Sequence, residues 1–479
     1  MITKIAKATP FEGAPKINLP RIIGASSGKP ILFRIPVTGA RPIEYSAENL
    51  PNGLTLDGNI LKGQVIGDGK YEFILIAKNS FGESKKAITL EIADQNVLVT
   101  PLLGYTSWNA FAQHVTQSDI EGIAQKMVDL GIAEYGYSYV NTDSGWQGEY
   151  GGEYDAVMPN RKFPDMKKMT DKIHALGLKC GIYSTPMLTA WGCPDELASI
   201  PGCTEGEPDY RFAPTNGGIG VIHKEKNNAR QFAEWGFDYL KYDWAPTDTV
   251  NAELMRAELI KQDRDFGFCV TVQALKQYAS YWSKYCNSYR CNPDTLSNWK
   301  NLVEIYETYF DFREYATKGH YFDLDMLDFG TCRLHTMWNC LNDDEKLIEF
   351  SMRAFLNSPI QISSTLENAP DFELSIYCNE EILAISQDCA FNTPTLVLNQ
   401  RDGEKYFHVW EKELENGSYA YAFFNLGNTI EKITLNPENG IIRDLWAKEN
   451  ISNGEKITLE IPPHTVRILK AESKLFKTE

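Results

Sequence analysis

The sequence predicts a multidomain chain built around a (β/α)8 TIM barrel, with an N-terminal β-sandwich before it and a C-terminal antiparallel β-sandwich after it. Three observations predict this. Residues 17–95 carry apolar-rich runs punctuated by turn dipeptides. From Val97 short apolar strands alternate with helical stretches. After about residue 390 the pattern becomes β again. The expected units are 1–96, 97–390 and 391–479 of the 479 residues, which agrees with a prior of roughly 150 residues per domain.

In the first unit, Pro30–Val37 and Tyr71–Ala77 read as strands, and Asn52-Gly53, Asp57-Gly58 and Asp68-Gly69 as the turns between them. Segments about ten residues apart suit a small sandwich. In the second, strand-like Tyr137–Thr142, Lys179–Tyr183 and Tyr239–Tyr242 alternate with helix-like Met166–Leu178 and Asn227–Trp235. This βαβα rhythm argues a parallel sheet with crossover helices, and its length fits one eight-stranded barrel. A doubly wound sheet is the alternative, but no Gly-rich phosphate loop follows the first strand. In the third unit, Lys405–Trp410, Tyr419–Asn425, Lys432–Leu435 and Thr465–Leu469 read as strands, with turns at Asn416-Gly417, Asn439-Gly440 and Asn453-Gly454.

Composition narrows the function. Hydrophobic residues make up 43%, and 47 Lys+Arg against 64 Asp+Glu give a net charge of −17. An acidic surface repels phosphate backbones and anionic lipid, so neither a nucleic acid nor a membrane is an expected partner. No window reaches the ~18 uncharged apolar residues of a spanning helix. Met1–Lys7 is followed by no apolar signal core. A cytoplasmic location is expected, or a secreted or periplasmic one where a leader has been removed. The ten cysteines lie between Cys180 and Cys389 without metal spacing. They read as buried thiols of a reducing compartment.

In a barrel of this kind chemistry sits at the C-terminal ends of the strands, where the βα loops converge. Acidic residues close several apolar runs: Asp143 after Val140-Asn141-Thr142, Asp243 after Tyr239–Tyr242, Asp294 after Cys286–Arg290, and Asp323 and Asp325 within Tyr321–Leu327. Any one of them could be a helix cap. Together, in one barrel, they point at one another. Trp108, Trp146, Tyr183 and Trp244 also lie near strand ends. Carboxylates accept bonds from ring hydroxyls, and an aromatic face stacks on the apolar face of a sugar. The pattern points to a carbohydrate site, with an oligosaccharide or other glycoside as the partner.

These residues also carry a resemblance. Pro101–Phe111, Tyr139–Trp146, Phe163-Pro164 with Gly177–Tyr183, and above all Trp235–Asp243 resemble motifs of glycoside hydrolase family 27, the α-galactosidase and α-N-acetylgalactosaminidase family. Asp323–Leu327, Asn357–Ile360 and Asn379–Asp388 follow in the family's order. The resemblance implies that Asp243 is a nucleophile and Asp294 the acid/base. It implies a double displacement with retention, for which the two carboxyl groups lie roughly 5–5.5 Å apart and which calls for neither a metal nor an organic cofactor. It implies further that Trp108, Asp143, Tyr183, Arg290 and Asp325 line the sugar subsite. Lys241, two residues before Asp243, faces the same side of its strand. Its charge is expected to keep Asp243 ionised, whereas Asp294 must start protonated and so calls for a raised pKa. Separately, residues 50–58, 69–71 and 77–82 resemble the immunoglobulin-like domains appended to bacterial carbohydrate enzymes.

The chain also departs from the family. Two adjacent acids usually follow the second strand, and here Asp143 is followed by Ser144. Part of a charge-assisted grip on the sugar is lost. The expected activity is hydrolysis of terminal α-galactosides. The alternatives are an α-N-acetylgalactosaminidase, a β-L-arabinopyranosidase, an isomaltodextranase-like activity, or a non-catalytic sugar-binding protein. Gln273, followed by Ala274, is placed near the site for the sugar's 2-substituent. Ala245 stands where the family has a cysteine of a disulfide, and Cys193 and Cys203 are left to pair with each other or to stay reduced.

Overall fold

The structure is a computed structural model of the chain. It describes residues 3–186, 223–243, 249–271, 276–327, 329, 332, 341–437 and 440–476. Trp244, Ala245, Gln273, Ala274, Cys193, Cys203, Asn439 and residues 188–220, expected with 148–160 to shape the aglycone side, lie outside the described residues.

Eight parallel strands form the centre: β1 (Leu103–Thr106), β2 (Tyr139–Thr142), β3 (Lys179–Ser184), β4 (Tyr239–Tyr242), β5 (Gly267–Val270), β6 (Ser288–Tyr289), β7 (Tyr321–Phe322) and β8 (Ile360–Ile362). Each pairs with the next, and β8 pairs with β1. A parallel bridge from Leu327, just beyond β7, to Ile362 joins the remaining edge. The sheet is thus curled into a barrel without a free edge. Helices α1 (Gln117–Asp129), α2 (Met166–Ala175), α3 (Glu225–Trp235), α4 (Thr249–Ile260), α5 (Ala279–Tyr285), α6 (Trp299–Phe312), α7 (Asp343–Phe355) and α8 (Glu380–Ser386) follow the strands in turn. Their starts are fixed locally. Thr116 and Asp119 form a capping box, Asp165 caps α2, and Asn342 with Glu345 forms a second box on α7.

The barrel interior is filled by side chains, some of them polar. Asn141 donates to Gln361 at 2.9 Å across it. Gly181 faces this pair, and a Cβ there would come within 1.9 Å of Asn141 Oδ1. At the N-terminal end Leu98, Leu102, Tyr139, Tyr239 and Cys269 form a separate apolar plug. The two tyrosines of this plug meet edge to face at 5.9 Å.

The first unit is two sheets on one core. Ile22–Ala25, Gly82–Ile92, Gly69–Asn79 and Glu44–Glu48 make a four-stranded sheet, and Ile31–Arg34, Ile60–Gly63 and Leu54–Asp57 a three-stranded one. Alternate residues Phe73, Leu75 and Ala77 point into the shared core. The run read as one strand over Pro30–Val37 ends at Arg34, with pairing resuming at Val37–Thr38. Pro36 has no N–H to give to a ladder.

This unit seats on the N-terminal face of the barrel. Glu134, before β2, pairs with Arg34 at 2.6 Å and Arg41 at 3.2 Å, and accepts the Val37 N–H at 3.1 Å. Asp265, before β5, accepts the Ser26 N–H at 2.8 Å. Lys318, before β7, pairs with Glu91. Residues 3–8 belong to none of these sheets. Thr3 N–H donates to Asp344 at 2.9 Å, Ala6 N–H to the Trp446 carbonyl at 2.8 Å and Ala8 N–H to Ser375 at 3.1 Å. The chain start runs between α7 and the third unit.

That third unit has a six-stranded sheet and a two-stranded one around Phe407, Val409, Phe423, Leu459 and Leu469. Lys412 is buried where it meets the barrel, donating to Asn357 Oδ1 at 2.6 Å and the Ile385 carbonyl at 2.7 Å. Burial pushes its ammonium down to about 8, against partial support from Asp388. The unfolded lysine titrates near 10.4. Between about pH 8 and that value the unfolded chain binds more protons, so this group's contribution to stability rises with pH and is lost as pH falls through about 8. Comparing the unfolding midpoint with pH for wild type and Lys412→Met checks this. The rise across that window should flatten in the variant.

Candidate active site

The carboxylates singled out from sequence stand at the ends of β2, β4, β6 and β7. Asp143 follows β2 and is 3% exposed. It is held from four directions. Its N–H donates to Ser107 at 2.9 Å, Oδ1 accepts the Ser144 N–H at 2.8 Å, and Oδ2 accepts the Thr106 hydroxyl at 3.2 Å. Oδ2 also pairs with Lys241 Nζ at 2.7 Å, reaching across from β4. Lys241 Nζ stands 5.7 Å from the centre of the Tyr183 ring at the end of β3. Burial opposes the lysine's charge, but Asp143, Asp243 and Asp325 outweigh it and hold the ammonium above the ordinary lysine range. Lys241 is therefore the cation that three strand-end carboxylates share.

Asp243 is buried one residue past β4, with its N–H on the Ser184 carbonyl at 2.9 Å and its Oδ1 accepting the Thr271 hydroxyl. Thr271 follows β5 and, not being an acid, is absent from the strand-end residues that the sequence singles out. The signal was there: Thr271 closes the apolar run Phe266–Val270 as Asp243 closes its own.

Arg290, after β6, is buried between two carboxylates. Nη1 lies 2.8 Å from Asp325 Oδ2, and Nη2 donates to Asp294 Oδ1 at 2.7 Å. Asp294 has a side chain 75% exposed. Its described surroundings are the Arg290 guanidinium and solvent.

Asp325 adopts φ +69, a left-handed conformation uncommon outside glycine. Its N–H donates to Asp323 Oδ1 at 2.8 Å, and its Oδ2 accepts the Thr295 N–H at 2.8 Å. Burial opposes its ionisation, but Arg290 and Lys241 prevail and hold it below the ordinary aspartate range. Asp323 beneath it differs. Burial and then the Asp325 charge push it up to about 6.

Among the aromatics, Trp108 is half-buried in a helical turn just past β1. Tyr183 is buried beside Lys241. Trp146 is a core residue, with its indole N–H on the Tyr183 carbonyl at 3.0 Å and edge contacts to Phe232 and Trp235. Ser144 is buried beside Asp143. The segment 148–160 forms a hairpin, Gln147–Gly151 with Ala156–Pro159, after β2. Seven cysteines among the described residues, including Cys180, Cys269 and Cys378, are free thiols.

A parallel barrel whose strand ends converge on carboxylates and cations is a framework that suits a glycoside hydrolase. Comparison with known proteins agrees and is narrower. Residues 100–203 and 208–388 match the family described as α-galactosidase A, and residues 404–471 match the α-galactosidase C-terminal β-sandwich domain. The chain belongs to this α-galactosidase family. The α-galactosidase A of Cellvibrio japonicus is 28% identical over 405 residues, covering 78% of this chain and 91% of that protein. A candidate α-galactosidase/melibiase of Bacteroides fragilis is 28% identical, with a TM-score of 0.84 over 96% of this chain and 98% of that one. A β-L-arabinopyranosidase from Geobacillus stearothermophilus shares the fold at 22% identity and a TM-score of 0.68, over 78% and 97% of the two chains.

The Lys241–Asp143 pair generates a test. Removing one partner of a buried pair leaves a charge without compensation, which costs about 3–5 kcal/mol. Lys241→Met should lose stability on that order in chemical denaturation. Lys241→Met with Asp143→Asn should regain most of it. Neither variant should regain activity.

Proposed function

We propose that the protein is an exo-acting, retaining glycosidase that removes a terminal α-galactose-type residue. The observation that carries this is the arrangement of Asp143, Asp243, Asp325 and Asp294 around Lys241 and Arg290 at one end of a barrel belonging to an α-galactosidase family.

Each residue has a part in the reading. Asp243 attacks the anomeric carbon while Asp294 gives its proton to the leaving oxygen. Water then takes the sugar off Asp243, with Asp294 removing the water's proton. Thr271 orients Asp243 by its hydroxyl. Asp143 and Asp325 accept bonds from ring hydroxyls, and Trp108 and Tyr183 offer flat faces. Asp243→Asn should abolish release of nitrophenol from a cleaved nitrophenyl glycoside. Asp294→Asn should lower it by about 10²–10⁴-fold, the usual share of an acid/base. Near-normal turnover in either overturns the assignment. NMR of the first-released anomer checks retention.

Ser144 favours a second reading. A serine in place of a second acid weakens the grip on a 4- or 6-hydroxyl, which suits a sugar without a C6 group, such as L-arabinopyranose. A panel of nitrophenyl glycosides separates the two. Cleavage of the α-galactoside above the β-L-arabinopyranoside supports the first reading, and the reverse order the second. Ser144→Asp should raise galactoside turnover relative to arabinopyranoside. No cleavage of any member would leave a sugar-binding protein. For the N-terminal unit the reading is an immunoglobulin-like sandwich, supported by its four-plus-three strands on one core.

A further inference from the structure

Arg353, on the barrel-facing side of α7, has a side chain only 1% exposed. Its guanidinium reaches under the strand end that carries Asp325. Nε donates to the Asp325 carbonyl at 3.0 Å, and Nη2 to the carbonyls of Leu324 and Met326, each at 3.0 Å. Nη1 donates to the Glu349 carbonyl at 3.1 Å and lies 3.2 Å from the Glu349 carboxylate. Successive carbonyls of an extended strand point to alternate sides, so one group cannot collect three in a row. Here they converge because the chain curls, and the curl passes through the left-handed Asp325. Ser358 Oγ accepts the Leu324 N–H at 2.9 Å and Asp323 accepts the Asp325 N–H, holding the donors of the same segment.

The curl decides where Asp325 points. From it Asp325 reaches Thr295 N–H and Arg290, and Arg290 in turn reaches Asp294. A fully buried ion pair is a weak way to stabilise a fold, because a well-packed apolar residue does as well or better. A planar fork of five donors is instead a good way to fix three carbonyls at once. We propose that Arg353 is a positioning residue: by clamping the carbonyls of residues 324–326 it holds Asp325, and through it Arg290, in register with the sugar. The proposal rests on the reading of Asp325 as a sugar ligand.

Two variants test it. Arg353→Met combined with Glu349→Gln removes both charges, so no unpaired ion is left in the core. Arg353→Lys keeps the charge beside Glu349, but its single ammonium cannot span three carbonyls. For each, the unfolding midpoint, KM and kcat on the best nitrophenyl glycoside, and calorimetric affinity for the released monosaccharide are measured. The expected result is a folded double variant with KM and product Kd both raised at least tenfold, and a lysine variant raised severalfold but less. Folded variants with KM and product Kd within twofold of wild type overturn the proposal. If the double variant does not fold, the lysine variant decides alone: raised KM and Kd support the clamp, unchanged values overturn it. Asp325→Asn separates the two levels. If it leaves KM and product affinity unchanged, the reading of Asp325 falls whatever Arg353 does.

Discussion

The ion pair between Lys241 and Asp143 joins β4 to β2 across the mouth of the barrel, and the site is arranged around it. Three carboxylates close strands that converge, and without a cation between them their mutual repulsion in a poorly solvated pocket would drive protons onto some of them. Lys241 answers to Asp143, Asp243 and Asp325 together. Arg290 repeats the solution on the far side, between Asp325 and Asp294. The contrast with Asp323 shows what this arrangement does. That carboxylate is as deeply buried, with Arg290 and Lys241 only lesser influences on it, and it is pushed up to about 6. Within the same few residues of chain, one aspartate is held ready to accept hydrogen bonds as an anion and its neighbour takes up a proton in weak acid.

The units divide the barrel's two ends between them. Acidic and basic groups just before β2, β5 and β7 anchor the N-terminal sandwich, whereas those just after β2, β4, β6 and β7 face the opposite way. Parallel strands make this separation possible, because every strand presents its start to one face and its end to the other. The third sandwich is tied in from the side, through Lys412 to Asn357 and the Ile385 carbonyl.

The parts of this arrangement that were legible in the sequence share a property: the signal was local. β4 was read at Tyr239–Tyr242, the bounds it has in the structure, because an apolar run stops at an aspartate. Asp143 and Asp243 were found by the same rule. Trp146 stands near a strand end as well, yet lies in the core, since proximity to a strand end does not say which way a ring turns. Thr271 closes an apolar run in the same way, but a hydroxyl there gains its meaning from a carboxylate 28 residues away. Arg353 was hidden more deeply. In Glu349-Phe350-Ser351-Met352-Arg353 it looks like one polar residue of an amphipathic helix. Only the neighbouring backbone, with three carbonyls turned inward, shows why an arginine is buried there. The exposure of Asp294 likewise has no local signature.

The segment at residues 3–8 ties the beginning of the chain to its far end. Its partners are Asp344, Ser375 and Trp446. A polypeptide is made from its amino end, and N-terminal units generally fold first as synthesis proceeds. The contact of Ala6 with the Trp446 carbonyl cannot form until synthesis has passed residue 446, so this strap docks well after the sandwich that follows it in the chain can fold.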